Sequence, residues 1–227
     1  SSSACAYNTT LQQDPNVRAL KESDAYPAMA ERGYGWEKLI SEMFCQEYWA
    51  ERQMKTFIAR FHNVYGPNGT WDGGREKAPA ALSRKVIEAK ASGDLNITIW
   101  GDGTQTRSFM YIDDCVKGID MITHCDDLIA TPINLGSSHL VSINDLVSMI
   151  EDIAGVELDR HYDLDAPRGV AGRNSDNTFI LEVLGWEPNT PLRAGMEDTY
   201  AWIAQQFEDR RAGKPTPAGK PDFTVGH

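Results

Sequence analysis

Tyr34 and Lys38 stand four residues apart in Tyr34-Gly35-Trp36-Glu37-Lys38. On a helix, positions i and i+4 share one face, so the phenol and the ammonium project together. An ammonium beside a phenol stabilises the phenolate. That makes Tyr34 a candidate general base near neutral pH. The spacing alone is weak, because Y-x-x-x-K also arises by chance, and the plainer reading is a solvated helix face. Further along, Gly73-Gly74-Arg75-Glu76-Lys77 suits a backbone that passes close to a ligand, since glycine removes the side-chain obstacle. Gly-Gly pairs are more often plain loop. His62, a single histidine with no sequence partner, reads as structural.

The elements that must position these residues follow from periodicity. Trp36, Leu39, Ile40, Met43, Phe44 and Tyr48 recur at helical spacing and predict a helix over 31–52. A strand over 55–61 and a Gly/Pro/Asn-rich loop over 62–75 follow. A helix over 76–92 tolerates Pro79 in its first turn. Ile97 and Ile99 alternate in a strand closed by Gly101-Asp102-Gly103. Helices are expected over 113–124, behind a Ser142–Asp145 capping box and stopped at Gly155, over 177–184 up to Gly185, and over 191–211. Strands are expected at 131–135 and near 156–162, and a charged loop over 163–177. The segment 212–227, rich in Pro, Gly and Lys, reads as a disordered tail. Alternating helices and strands argue for an α/β class.

Composition narrows the function. The 227-residue chain carries a formal charge of −11, which disfavours nucleic acids and anionic membranes as partners. No apolar run approaches a membrane span. The four cysteines form no C-x-x-C pair, so no metal site is expected. Without a secretory signal, free thiols are the expectation. N-x-[ST] triplets at Asn8, Asn68 and Asn96 carry little weight. No G-x-G-x-x-G occurs, so the dinucleotide-binding βα turn is absent. The chain opens Ser1-Ser2-Ser3 rather than with Met, as if a preceding strand had been removed.

A serine a few tens of residues before Y-x-x-x-K completes the Ser–Tyr–Lys set of short-chain dehydrogenases, with Ser3 orienting a substrate hydroxyl toward Tyr34. Six blocks then occur in order: Ser-Ser-Ala-Cys-x-Tyr, Tyr-Gly-x-Glu-Lys, Arg-Phe-His-Asn-x-Tyr-Gly-Pro, Gly-Gly-Arg-Glu-Lys-Ala-Pro-Ala-Ala, Trp-Gly-Asp-Gly-x-Gln-Thr-Arg-Ser-Phe and Gly-Arg-Asn-Ser-Asp-Asn. Over roughly residues 1 to 205 the series resembles GDP-mannose 3,5-epimerases, extended short-chain dehydrogenases/reductases that invert sugar carbons using bound NAD. Cys5 and the 73–81 block are its specific parts; the first, second, third and fifth blocks resemble nucleotide-sugar epimerases and dehydratases in general.

The resemblance implies a fold and a set of roles. The fold is the C-terminal part of a Rossmann-type extended short-chain dehydrogenase, with a smaller substrate-binding α/β region and without the NAD-binding half. Residues 1–65 would be the rest of the Rossmann domain, carrying Ser3, Tyr34 and Lys38. Residues 66–211 would be mainly nucleotide-sugar-binding, with returning Rossmann elements. Oxidation at C4 acidifies the C3 and C5 protons, so Cys5 is implied as base and Lys77 as the opposing acid. A cation near the Cys5 thiol would favour its ionised form. Without the family pattern, Cys5 reads as a small buried apolar residue and Lys77 as a solvated lysine. The same resemblance implies that Ser3, Ala4, Cys5, Asn63, Glu76, Lys77, Ala78, Lys85, Gln105, Thr106, Arg107 and Arg173 line the site of a GDP-hexose. Arg107 and Arg173 have planar bidentate donors suited to a diphosphate; Arg168 is a weaker third candidate. Tyr34 and Lys38 would also reach the nicotinamide ribose of NAD, though the chain by itself is expected to bind NAD weakly. A homodimer and a cytoplasmic location are implied. Two alternatives stay open: a UDP-sugar 4-epimerase or decarboxylase of the same superfamily, and a non-catalytic nucleotide-sugar-binding fragment.

Overall fold

The computed structural model describes residues 1–215 except Pro15, Val17, Pro167 and Arg168. Arg168 and the segment 216–227, most of the expected tail, therefore lie outside the described residues. In chain order the regular elements are β1 (Ser2–Ser3), α1 (Tyr34–Arg52), β2 (Ile58–Phe61), β3 (Asn63–Tyr65), α2 (Ala78–Ser92), β4 (Asn96–Trp100), β5 (Thr106–Arg107), β6 (Phe109–Tyr111), α3 (Ile112–Thr123), β7 (Pro132–Leu135), β8 (Val141–Ser142), α4 (Ile143–Ala154), β9 (Asp159–Asp163), β10 (Gly172–Arg173), α5 (Thr178–Leu184) and α6 (Leu192–Arg211).

β1, β2 and β7 form a parallel sheet in that order. Side chains alternate across it. Ser2, Arg60 and Asn134 are register partners and share one face. Ala59, Ile133 and Leu135 turn the other way, into a core with Met110, Ile122 and Ile180 from the flanking β6, α3 and α5. A second core joins α2, α4 and α6 through Val86, Leu146, Ile150 and Met196, against Ile97 and Ile99 of β4. β4 pairs parallel with β9, β3 with β6, and β5 lies between β10 and β8. This is an α/β fold of the Rossmann type.

The helices sit close to their expected places, and each offset has a local cause. α1 starts at Tyr34 rather than 31, because Gly33 before it holds φ 77°, a left-handed conformation favoured by glycine. Gly155 ends α4 at φ 63°, and Gly155 and Val156 donate to Asp152 and Glu151. Those bonds occupy the residues expected to open a strand at 156, so β9 begins at Asp159. Ser142 caps α4 by accepting from Asp145 N at 3.0 Å. The reciprocal half of the capping box differs: Asp145 accepts from the Ser142 hydroxyl at 2.7 Å rather than from its backbone N–H. Aspartate is one methylene shorter than the usual glutamate. The expected strand over 55–61 narrows to Ile58–Phe61, with Phe57 forming an isolated antiparallel bridge to Ile129.

Candidate active site

Ser3 ends β1, and its hydroxyl accepts from Cys5 N at 3.2 Å, capping the 3-10 turn Ala4–Ala6. The turn is pinned to the start of α1. Glu31 N donates to Cys5 O at 3.0 Å, and Gly35 packs so tightly on that carbonyl that a Cβ there would overlap it. The second residue of the Tyr-Gly-x-x-Lys segment thus has to be small. Lys38 Nζ sits 5.2 Å from the Tyr34 ring centroid, a cation–π distance, and 3.4 Å from Glu37. The Tyr34 ring is about half exposed. Ala4 is buried in a small core with Ala6, Tyr7 and Leu39, leaving only its backbone to face a ligand.

Arg173 reaches the same corner from β10. Its guanidinium lies 3.5 Å from the Cys5 sulfur, donates to Gln12 Oε1 at 2.5 Å and pairs with Glu31. Arg173 is buried while the Glu31 side chain is 36% exposed. In the parallel pairing of β10 with β5, Arg173 is the register partner of Arg107. Two guanidinium groups therefore come close together. Burial first, then the charge of Arg173, pushes the Arg107 pKa down to about 10. An anion placed between them would relieve both effects.

Arg107 opens onto a cavity of about 590 Å³, within the range of small-molecule pockets. Asn63, Glu76, Lys77, Ala78, Lys85 and Gln105 also line it. Their anchors come from neighbouring backbone: Asn63 Nδ2 donates to Ser108 O at 3.1 Å, Lys85 Nζ to Thr98 O at 2.7 Å, and Gln105 Nε2 to Trp100 O at 2.9 Å. Burial lowers the Lys85 pKa. Thr106, beside them on β5, donates its N–H to Ala171 O at 2.9 Å. Lys77 immediately precedes α2 and is exposed. It also lines a second cavity of about 350 Å³ formed by the end of β3, the loop 66–70, Arg75, Ala80 and Ile112. Gly73 and Gly74 hold φ 100° and 86°, with nothing within 4 Å of an added Cβ. Among the described residues, backbone conformation rather than close approach explains the pair.

The expected site residues fall into two groups: Ser3, Cys5, Tyr34, Lys38 and Arg173 at the first sheet, and Asn63, Glu76, Lys77, Ala78, Lys85, Gln105 and Arg107 at the larger cavity. The neighbouring strands β10 and β5 join them. Sequence reading missed Glu31 and Gln12, the partners of Arg173, because nothing in a linear pattern marks residues 142 and 161 positions away. It also missed Trp100, whose exposed ring borders the cavity; an aromatic before Gly-Asp-Gly was the available signal. Among the described residues no His, Cys, Asp or Glu group is arranged to hold a metal, and no helix is long and apolar enough to cross a membrane. His62 is buried, and its Nε2 lies 3.2 Å from Asn134 Oδ1.

Among the described residues, the Tyr34–Lys38 face is the part of the expected site that could meet NAD. The half-exposed phenol beside an ammonium fits a ribose hydroxyl, and the dinucleotide fingerprint is absent from the sequence.

Residues 1–136 match the NAD dependent epimerase/dehydratase family. The chain is 47% identical to GDP-mannose 3,5-epimerase 1 of Oryza sativa subsp. indica over 92% of its length, covering 53% of that protein. It is 46% identical to GDP-mannose 3,5-epimerase of Arabidopsis thaliana over 93% of its length and 54% of the relative's. The chain thus spans about half the length of these relatives. Among solved structures, UDP-glucuronic acid 4-epimerase from Bacillus cereus in complex with NAD superposes with a TM-score of 0.72 at 28% identity, covering 91% of this chain and 60% of that one.

Proposed function

Because this chain belongs to the NAD dependent epimerase/dehydratase family, we propose that it supplies the substrate-facing part of a GDP-hexose epimerase, of the GDP-mannose to GDP-L-galactose type. The observation that carries the reading is the position of Arg173. It touches Cys5 on one side and neighbours Arg107, and through it the Lys77-lined cavity, on the other. Residues 1–65 hold the Ser–Tyr–Lys corner, and 66–211 mainly hold the nucleotide sugar.

NAD, met by the Tyr34–Lys38 face, would supply a hydride acceptor for C4 of the sugar and the donor that restores it. The residues of this chain do the rest. Ser3 orients the C4 hydroxyl, and Tyr34, with Lys38 beside it, takes that hydroxyl's proton. The 4-keto sugar has acidic C3 and C5 hydrogens. Cys5 removes them as thiolate, and Lys77 donates a proton on the opposite face. Arg107 and Arg173 hold the diphosphate. Trp100 packs against the base at the cavity rim, with Lys85, Gln105 and Asn63 beside it, and Glu76, Ala78 and Thr106 complete the wall.

A cytoplasmic homodimer is part of this reading. Support comes from the exposed apolar stripe Trp36, Ile40, Phe44 and Tyr48 on α1, since an uncovered patch of this kind marks an interaction surface. Sedimentation as a monomer would remove the dimer.

The test of the chemistry is Cys5→Ser in the NAD-bound holoenzyme, with GDP-mannose in heavy water. Serine is nearly isosteric with cysteine but far less acidic. Exchange of the C3 and C5 hydrogens is expected to stop while substrate still binds. Exchange of both hydrogens at the wild-type rate would make Cys5 a packing thiol, and a wild type that exchanges neither hydrogen would favour a UDP-sugar 4-epimerase.

A further inference from the structure

Lys77 is held in an unusual way for a proposed proton donor. Among the described residues its side chain has no hydrogen-bond or ion-pair partner, and it lies where the two cavities meet. Its position is therefore set by its backbone alone. That backbone is the end of loop 66–77, and two consecutive glycines with positive φ make its middle easy to deform.

What fixes the loop is a set of ties that run from the wall of the larger cavity, which Asp72, Gly73, Gly74, Glu76 and Arg84 help to line, back into the fold. Trp71 is fully buried between Ile87 of α2 and Ile203 of α6. Arg210, in the last turn of α6, stacks over the Trp71 ring at 4.1 Å and pairs with Asp72 Oδ2 at 2.6 Å. Asp72 Oδ1 accepts from Gly73 N at 2.7 Å. Arg84 of α2 approaches Asp72 at 3.7 Å and bonds Glu76 at 3.1 Å. Glu76 Oε2 in turn accepts from Gly74 N at 2.7 Å. Each glycine N–H is thus held by a carboxylate that an arginine holds in turn. Arg84 belongs to α2, the helix the loop runs into. Arg210 belongs to a helix more than a hundred residues later, and it ties the loop to the rest of the fold.

We propose that Arg210, through its stack on Trp71 and its pair with Asp72, is a positioning residue that sets where Lys77 presents its proton. Arg210 touches no ligand in this reading. The inference rests on the acid role proposed for Lys77, and its effect is specific: a displaced donor should fail at proton return while proton removal by Cys5 continues.

Two measurements test it. The first is amide hydrogen exchange on residues 71–77, which does not depend on any reaction. Arg210→Ala should speed exchange there and leave α1 unchanged; unaltered protection overturns the clamp. The second uses the NAD-bound holoenzyme with GDP-mannose in heavy water and reads the ratio of inverted product to substrate that exchanged without inversion. Arg210→Ala should lower that ratio on the order of 10- to 100-fold, the scale of misplacing a reacting group by about 1 Å. Asp72→Asn should act in the same direction. Arg210→Lys should recover part of the ratio, because an ammonium can still reach Asp72. A merely structural defect would reduce exchange and inversion together and would overturn the proposal. If the wild type exchanges neither hydrogen, the proposed reaction fails, and amide exchange alone then decides whether the clamp exists.

Discussion

Two buried arginines, Arg60 and Arg173, stand on neighbouring parts of the fold and are handled in opposite ways. Arg60 is 1% exposed. Its guanidinium meets Glu42 in two parallel bonds of 2.9 and 2.7 Å and donates to Tyr7 at 3.3 Å and Glu22 O at 2.7 Å. Ser2 donates to the same Glu42, and Tyr7 donates to Asn134 at 2.6 Å. Burial opposes the charge of Arg60, but the Glu42 bonds outweigh it and its pKa is raised. Arg173 is almost as buried, yet its carboxylate partner Glu31 stands partly in water, and another arginine is its strand neighbour. The first pair is closed on every side and serves the fold. The second is open on one side, and a phosphate could take the place of its carboxylate.

The largest effect expected from this contrast is on stability. Glu42→Gln or Arg60→Met leaves a buried charge without its counterion. Each is expected to destabilise the chain by about 3–5 kcal/mol in denaturant unfolding. The double variant Arg60→Met with Glu42→Leu should cost much less, because neither charge then stays buried alone. A single substitution costing under about 1 kcal/mol, the range of an exposed pair, would break the contrast.

His62 belongs to the closed side, through Asn134. Burial, with smaller contributions from the charges of Arg173 and Arg60, lowers its pKa to about 4. The unfolded chain then binds a proton near pH 6.5 that the folded chain refuses until about pH 4. Stability is therefore lost as pH falls through that window, by up to about 3 kcal/mol. His62→Gln should flatten the decline relative to wild type, and the subtraction cancels the opposite contribution of Glu22, whose pKa burial raises. Identical pH profiles would mean that His62 is not sealed.

How much of this could be read from the chain depends on separation in sequence. The Tyr34–Lys38 face, the Ser142 cap and the glycine stops at 155 and 185 are local, and the sequence fixes them within a turn. Strands of two or three residues, such as β5 and β10, are too short to show a period of two, yet they bring Arg107 beside Arg173. The roles proposed for Cys5 and Lys77 rest on resemblance to a family, since neither residue type nor spacing singles them out. The Arg173–Glu31 pair left no trace, because its partners lie 142 residues apart and meet only where β10 comes up to the segment before α1.

On the open side, Arg173→Ala is expected to weaken GDP-mannose binding by about 1.5–3 kcal/mol, the value of a charge-assisted hydrogen bond. Calorimetry measures it, with unfolding as the check that the chain remains folded. Glu31 retains water contact, so the variant should lose far less stability than Glu42→Gln. An unchanged dissociation constant in a folded protein would remove Arg173 from the phosphate site.

The smallest effect has the opposite sign. If Glu31 occupies the guanidinium that a diphosphate must take, it competes with the ligand, and binding has to break an existing ion pair. Partly exposed pairs of this kind are worth about 0–1 kcal/mol. Glu31→Gln keeps the shape, weakens the hold on Arg173 and adds no charge. GDP-mannose should then bind more tightly by up to about 1 kcal/mol, with a steeper dependence on salt, because the freed guanidinium meets the phosphate with less screening from its own carboxylate. Backbone geometry should not change, since the contact of residue 31 with Cys5 runs through its N–H. Weaker binding in Glu31→Gln would mean that the carboxylate orients Arg173 for the ligand rather than competing with it, and the open pair would then resemble the closed one more than its exposure suggests.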